Sequence, residues 1–158
     1  MTGKRSAGIV LHRHHDGELQ VLLGHMGGPY WAGKDAGAWS IPKGMPEDDE
    51  DPQATARREF TEELGLPLPE GELRPLGEVR QAGGKVVQAW ALAGDLDPEQ
   101  VIPGTYTMEW PRGSGRFRSF PELDRVAWFP LVEAKEKIVK AQAELLERLH
   151  RDVAFGQH

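Results

Sequence analysis

The chain has 158 residues, no cysteine, and 25 acidic against 19 basic side chains, so its formal net charge is −6. The absence of cysteine excludes disulfide bonds, a thiolate nucleophile and metal sites built on sulfur. The acidic excess argues against a protein that coats DNA or RNA, since such binding needs a basic surface. The length predicts a single domain over residues 1–158. No apolar run is long enough for a membrane span or a signal peptide, which favours a cytoplasmic protein.

The first part of the chain predicts a β-hairpin. Two apolar segments, residues 6–13 and 18–26, flank Asp16-Gly17, a dipeptide typical of a tight hairpin turn. Three further features follow in order, a glycine-rich loop, a short strand and a turn, at residues 27–37, 39–41 and 42–44.

A helix is predicted over residues 52–64. Asp51 is a favourable N-cap, Pro52 suits the first turn, and Gly65 is the usual residue at a helix carboxyl end. An apolar stripe suited to packing on a sheet consists of Ala56, Phe60 and Leu64.

The second half predicts more strands and a final helix. Two strands at 73–81 and 85–93, an irregular stretch at 95–118 that is extended over 106–110, a strand at 126–129 and a helix at 131–151 follow in order. This order predicts an α/β domain in which a mixed sheet is covered by two helices.

Three carboxylates on the first predicted helix form the main candidate site. Glu59, Glu62 and Glu63 share one helix face because they stand at positions i, i+3 and i+4. Clustered carboxylates raise one another's pKa unless a cation lies among them, and oxygen ligands favour Mg²⁺ or Mn²⁺ over zinc. The alternative is an ordinary solvated acidic face. Arg58, which can pair with Glu50 in the preceding loop, favours the metal site.

The spacing of these residues resembles the Nudix box. Gly44, Glu50 and the segment 58–66, Arg-Glu-Phe-Thr-Glu-Glu-Leu-Gly-Leu, match the pattern Gx5Ex7REUxEExGU at every specified position. The resemblance implies the Nudix fold, an α/β/α sandwich with a mixed β-sheet. It also implies hydrolysis of a nucleoside diphosphate linked to another group.

The resemblance implies roles for the residues of the box. Glu59, Glu62 and Glu63 would be the ligands of Mg²⁺ or Mn²⁺, together with the backbone carbonyl of Gly44. Glu50 and Arg58 would support these ligands, so that Arg58 contributes to catalysis by holding them in place.

The attacking water also needs a general base, and family members differ in which carboxylate serves. Here Glu59, inside the box, and Glu122, before the last predicted strand, are the two candidates, and Glu109 is a weaker third. Glu122 as an ordinary surface residue is the alternative.

Several residues outside the box are candidates for substrate binding. Lys43 precedes Gly44 and could contact a phosphate, Arg112 and Arg116 lie with Arg118 in a loop that could grip a polyphosphate, and Tyr30 and Trp31 could stack on a base. The alternative for the basic residues is exposure to solvent.

The sequence therefore predicts a divalent-metal-dependent pyrophosphohydrolase of a nucleoside or dinucleoside polyphosphate. Two alternatives are a house-cleaning hydrolase of damaged nucleoside triphosphates and a catalytically silent nucleotide-binding module. The expected partner is a small nucleotide, and a homodimer is compatible with the resemblance, although no motif identifies an interface.

Overall fold

A computed structural model of the chain describes residues 4–156 as nine strands and three α-helices joined by short 3₁₀ turns. Residues 1–3, on which the expectation of no signal peptide partly rests, lie outside the described residues. The strands are β1 (Arg5–His15), β2 (Glu18–Met26), β3 (Trp39–Ser40), β4 (Lys43–Gly44), β5 (Arg74–Arg80), β6 (Val86–Ala93), β7 (Thr105–Glu109), β8 (Phe117–Pro121) and β9 (Leu123–Pro130). The helices are α1 (Pro52–Leu64), α2 (Leu131–Lys137) and α3 (Ala143–Gly156).

Seven strands form the mixed sheet that the sequence predicts. The order is β3-β2-β1-β6-β5, with β4 paired to β1 and β9 paired to β2. β1 and β6 run parallel, whereas the other pairs in this sheet are antiparallel. β7 and β8 form a separate two-stranded sheet.

Helices cover both faces of the sheet, which makes the predicted α/β/α sandwich. Alternate residues of β1 point to opposite faces. Ile9 and Leu11 join the buried cluster that contains Phe60 of α1. Val10 belongs to the cluster that contains Leu145 of α3. Among the described residues, no helix is both long and apolar enough to cross a membrane.

Local sequence signals place the first hairpin and α1 as predicted. Asp16 and Gly17 both have positive φ, 52° and 82°, which is the backbone of a tight hairpin turn. The side chain of Asp51 accepts hydrogen bonds from the amides of residues 53 and 54, and Gly65 ends the helix with a φ of 68°. The bounds of α1 are therefore those predicted.

The prediction of one continuous helix over 131–151 is wrong. The chain leaves the helix at Ile138, and a second helix, α3, starts at residue 143. The amide of Val139 donates to the carbonyl of Trp39 at 2.7 Å, and Ile138 is buried beside that strand. Tertiary pairing with β3 thus interrupts the predicted helix.

Two shorter segments also differ from expectation. Residues 95–118, expected to be irregular apart from 106–110, contain β7 and the first part of β8, paired from Thr105 with Pro121 to Glu109 with Phe117. The turn expected at 42–44 includes the short strand β4, because residues 43 and 44 pair with residues 8 and 7 of β1.

Candidate active site

The glycine of β4 makes room for a carboxylate of α1. A Cβ on Gly44 would lie 2.0 Å from Cδ of Glu59 and 2.2 Å from its Oε1. Only a residue without a side chain allows the carboxylate of Glu59 to rest on this backbone. The pairing of β4 with β1 fixes that backbone on the sheet.

Arg58 of α1 is hydrogen-bonded to three acidic side chains, those of Glu50, Glu59 and Glu62. Its guanidinium donates to both carboxylate oxygens of Glu50, at 2.9 and 2.8 Å, to Glu59 at 2.9 Å and to Glu62 at 3.0 Å. A further bond of 3.0 Å reaches the carbonyl of Met45. The resulting hydrogen bonds from Arg58, and then those from the amide of residue 47 and from Thr55, lower the pKa of Glu50 to about 2. The predicted pairing of Arg58 with Glu50 is present.

Glu63 occupies the more buried side of the same helix. Its Oε1 accepts a hydrogen bond of 3.2 Å from the amide of Lys43. Burial raises the pKa of Glu63 to about 8, and the charges of Glu122 and Glu59 act in the same direction. Burial likewise lowers the pKa of Lys43, although the nearby carboxylates oppose this. Glu63 and Lys43 therefore lie in a poorly solvated part of the site.

Glu122 reaches this site from a distant part of the sequence. Burial and then the charge of Glu59 raise the pKa of Glu122. Its backbone is fixed on both sides, since its amide donates to the carbonyl of Gly104 at 2.8 Å and its carbonyl accepts from the amide of Gly27 at 3.1 Å. The fold thus brings Glu122 to Glu59 and Glu63, whose common helix face the sequence predicts, whereas it could propose Glu122 only as a separate candidate.

The substrate-binding candidates form a second group. Arg112 donates to the hydroxyl of Tyr30, and its guanidinium carbon lies 5.7 Å from the centre of that ring. Trp110, which the sequence analysis missed, packs edge-on against Tyr30 with ring centres 5.9 Å apart. Trp31 packs against the core and faces the ammonium of Lys34 at 5.5 Å.

The two remaining candidates, Arg116 and Glu109, belong to the hairpin of β7 and β8 and form no hydrogen bond with the acidic side chains of α1 in the described part of the chain. Arg116 is exposed, and within residues 4–156 no hydrogen bond or ion pair joins it or Arg112 to the carboxylates of α1. Glu109, the third candidate base, accepts from the amides of Gly113 and Gly115 at 3.1 and 2.9 Å and so holds the hairpin loop.

A basic pocket next to Lys43 was not predicted from the sequence. It has a volume of about 180 Å³ and is lined by Lys4, Arg5, Ser6, Lys43, Met45 and Lys85. The pocket forms because β1 and β6 run parallel, which places Arg5 beside Val86. The sequence feature that could have predicted this pocket is a basic residue at the start of β1, Arg5, and another directly before β6, Lys85.

The donor atoms of the site fit a hard divalent cation by their chemistry. Carboxylates with raised pKa values, Glu59 and Glu63, lie together in a poorly solvated site, and all available donors are oxygens. Within the described residues, no three acidic or histidine side chains are already arranged around one point as metal ligands. Arg58 instead takes one oxygen each of Glu59 and Glu62.

The strands and helices form an α/β/α domain that carries an acidic cluster on α1. A family model described as NUDIX domain matches residues 3–149, and the chain therefore belongs to the NUDIX family. The family is the one that the sequence resemblance implied. No curated protein sequence matches the chain.

Solved structures share the fold at low sequence identity. An Ap4A hydrolase binary complex from C. elegans is 22% identical, with a TM-score of 0.66, over 96% of this chain and 98% of that one. The NUDIX domain of Shewanella oneidensis NrtR complexed with ADP ribose is 18% identical, with a TM-score of 0.68, over 97% and 90%. RenU, a Nudix hydrolase from M. smegmatis, is 21% identical, with a TM-score of 0.60, over 98% and 88%.

Proposed function

We propose that this protein is a divalent-metal-dependent pyrophosphohydrolase that cleaves a phosphoanhydride bond of a nucleoside or dinucleoside polyphosphate. The observation that carries the proposal is the grouping of Glu59, Glu63 and Glu122, whose charges act on one another and on Lys43, with Glu63 bonded to the amide of Lys43 and the carboxylate of Glu59 resting on Gly44. Grouped carboxylates with raised pKa values are typical of a site that binds cations and handles protons.

The side chains of Glu59, Glu62 and Glu63 and the carbonyl of Gly44 would hold Mg²⁺ or Mn²⁺. A bound ion of this kind lowers the pKa of a coordinated water and neutralises phosphate charge. Arg58, which itself is fixed by Glu50, keeps the carboxylates oriented.

We propose Glu122 as the general base, with Glu59 as the alternative. Burial raises the pKa of Glu59 as well, but Glu59 also accepts a hydrogen bond from Arg58 at 2.9 Å, which opposes that rise and ties up one oxygen of the carboxylate. Glu122 has a pKa raised by burial, which brings it closer to neutral pH, where a general base is most effective. Its backbone is held on both sides, so its side chain starts from a fixed position.

The distribution of basic groups supports a substrate with several phosphates. The pocket of Lys4, Arg5 and Lys85 continues from Lys43 and offers cations beyond the carboxylates. Tyr30 and Arg112 supply an aromatic face and a guanidinium on the hairpin side, where a base and a further phosphate would bind. Trp31 and Arg116 are further contacts in this proposal.

The test is a product analysis with purified protein. ATP, diadenosine tetraphosphate and ADP-ribose are incubated with Mg²⁺, with Mn²⁺ or with a chelator, and the released nucleotides are resolved by ion-exchange chromatography. We expect metal-dependent cleavage that Glu63→Gln abolishes. Glu136→Gln, an exposed residue of α2 on the other face of the sheet, is the matched control and should retain activity. No cleavage of any nucleotide with either metal would contradict the proposal.

Two further expectations stay predictions. A cytoplasmic location and a homodimer are to be tested by fractionation of cells and by light scattering of the purified protein.

A further inference from the structure

His25 is a buried histidine that the proposed mechanism does not use. It lies near the end of β2 and is 2% exposed. Its Nδ1 is 2.8 Å from Oδ1 of Asp124, and its Nε2 is 2.6 Å from the carbonyl oxygen of Lys34. Both ring nitrogens are therefore within hydrogen-bond distance of an oxygen.

Both of these oxygens are acceptors. A backbone carbonyl has no proton to give, and an ionised carboxylate has none either, whereas a neutral imidazole carries a single N–H. One ring proton cannot satisfy Asp124 and Lys34 at the same time. The geometry is satisfied when His25 carries a proton on each nitrogen and forms a charge-assisted bond with Asp124.

Asp124 stands at an irregularity in the sheet. β2 and β9 pair as His25 with Arg125 and then as Met26 with Leu123, so Asp124 is the extra residue of a β-bulge. Bulges next to active sites redirect the neighbouring side chain. The residue that precedes this bulge by two positions is Glu122.

The second partner, Lys34, belongs to the loop of residues 27–37. This loop carries Tyr30, and its first amide, that of Gly27, donates to the carbonyl of Glu122 at 3.1 Å. His25 therefore contacts the two chain segments that meet at Glu122.

We propose that His25, as an imidazolium, is a positioning residue that holds the bulge at Asp124 and the loop of residues 27–37 together and thereby sets the position of Glu122. The part that concerns Glu122 as a base rests on the proposed function. The protonation of His25 and its hold on both segments do not.

Other charged groups near the ring are engaged elsewhere. Trp39 packs edge-on against His25 with centres 5.3 Å apart, and the guanidinium carbon of Arg125 lies 5.2 Å from the centre of the Trp39 ring. Asp35 accepts from Nε1 of Trp39 at 2.9 Å and pairs with Lys137. The ammonium of Lys34 faces Trp31. Within residues 4–156, Asp124 is the carboxylate bonded to His25.

The protonation is tested without any activity. Nitrogen NMR of the ring in ¹⁵N-histidine-labelled protein at neutral pH should show protons on both Nδ1 and Nε2 of His25. Asp124→Asn replaces an acceptor by an amide that can donate to Nδ1, so the ring of this variant should keep a proton on Nε2 alone. A wild-type ring with one unprotonated nitrogen would overturn the proposal.

The positioning role is tested by hydrogen exchange and kinetics. His25→Gln should speed exchange of the amides of Gly27 and Glu122 and lower kcat about tenfold, the cost of a slightly misplaced catalytic group. Asp124→Asn, which keeps both bonds to a neutral ring, should retain the protection of these amides and most of kcat. His12→Gln, the same substitution in β1, is the control and should leave both amides protected.

The outcomes separate the two proposals. Unchanged exchange of Gly27 and Glu122 in His25→Gln, or equal effects of His25→Gln and His12→Gln, would refute the positioning role. If the wild-type protein cleaves no nucleotide, the proposed function fails, whereas the ring protons and amide exchange still decide the inference about His25.

Discussion

Replacing Glu63 by Gln should make the metal-free protein more stable, and the gain should grow with pH. The pKa of Glu63 rises from 4.5 in the unfolded chain to about 8 in the folded protein, because its carboxyl is buried near two other acidic groups. The folded state therefore binds a proton that the unfolded state has lost between these two values. Folding stability falls as the pH rises through this range.

The size of the effect follows from the same values. Each pH unit between 4.5 and about 8 is worth roughly 1.4 kcal/mol, which sets an upper limit of about 5 kcal/mol for the loss caused by Glu63. Partial access of solvent to the site reduces this, and we expect a difference on the order of 2 to 3 kcal/mol. The amide side chain of the Glu63→Gln variant would keep the acceptor for the amide of Lys43 without the charge.

The assay is urea unfolding of both proteins in the presence of a chelator. At pH 5 the two free energies of unfolding should be similar, and at pH 8 the variant should be the more stable. Addition of Mg²⁺ at pH 8 should stabilise the wild type more than the variant, since a cation offsets the buried charge. A difference between the proteins that does not change from pH 5 to pH 8 would refute the reasoning.

Four other substitutions test separate parts of the structure. Gly44→Ala should lower kcat/KM about a hundredfold, because its Cβ would displace the carboxylate of Glu59, while circular dichroism shows a retained fold. Glu50→Gln should be less stable than the wild type above pH 4.5, and thermal unfolding should show this deficit disappear as the pH falls towards about 2. Lys85→Gln should weaken kcat/KM more for diadenosine tetraphosphate than for ADP-ribose, and equal losses would exclude the basic pocket as a phosphate site. Asp51→Ala should cost about 1 kcal/mol in urea unfolding through loss of the helix cap.

The parts of the fold that local chemistry determines were predictable. Asp51, Pro52 and Gly65 mark the ends of α1 by their own backbone and capping preferences, so its bounds matched. Ile138 and Val139 carry no helix-breaking signal, and the chain extends there only because β3 offers a partner. Periodicity alone could not reveal that competition.

The candidate site also has a part that the local sequence predicts and a part that depends on the tertiary fold. Glu59, Glu62 and Glu63 share a helix face by spacing, which the sequence states directly. The approach of Glu122 to Glu63 depends on a β-bulge and on contacts to Gly27 and Gly104, far apart in sequence. The basic pocket likewise depends on the parallel pairing of β1 and β6. These features come from topology and not from local composition.

The hydrogen bonds of Arg58 have a consequence for how the protein would depend on its metal. One guanidinium already neutralises charge from Glu50, Glu59 and Glu62 and ties the loop before α1 to the helix. We therefore expect the chain to fold without a bound cation, unlike small zinc domains, which unfold when the metal is removed. If the proposed function holds, removal of the ion should stop turnover reversibly while the protein stays folded.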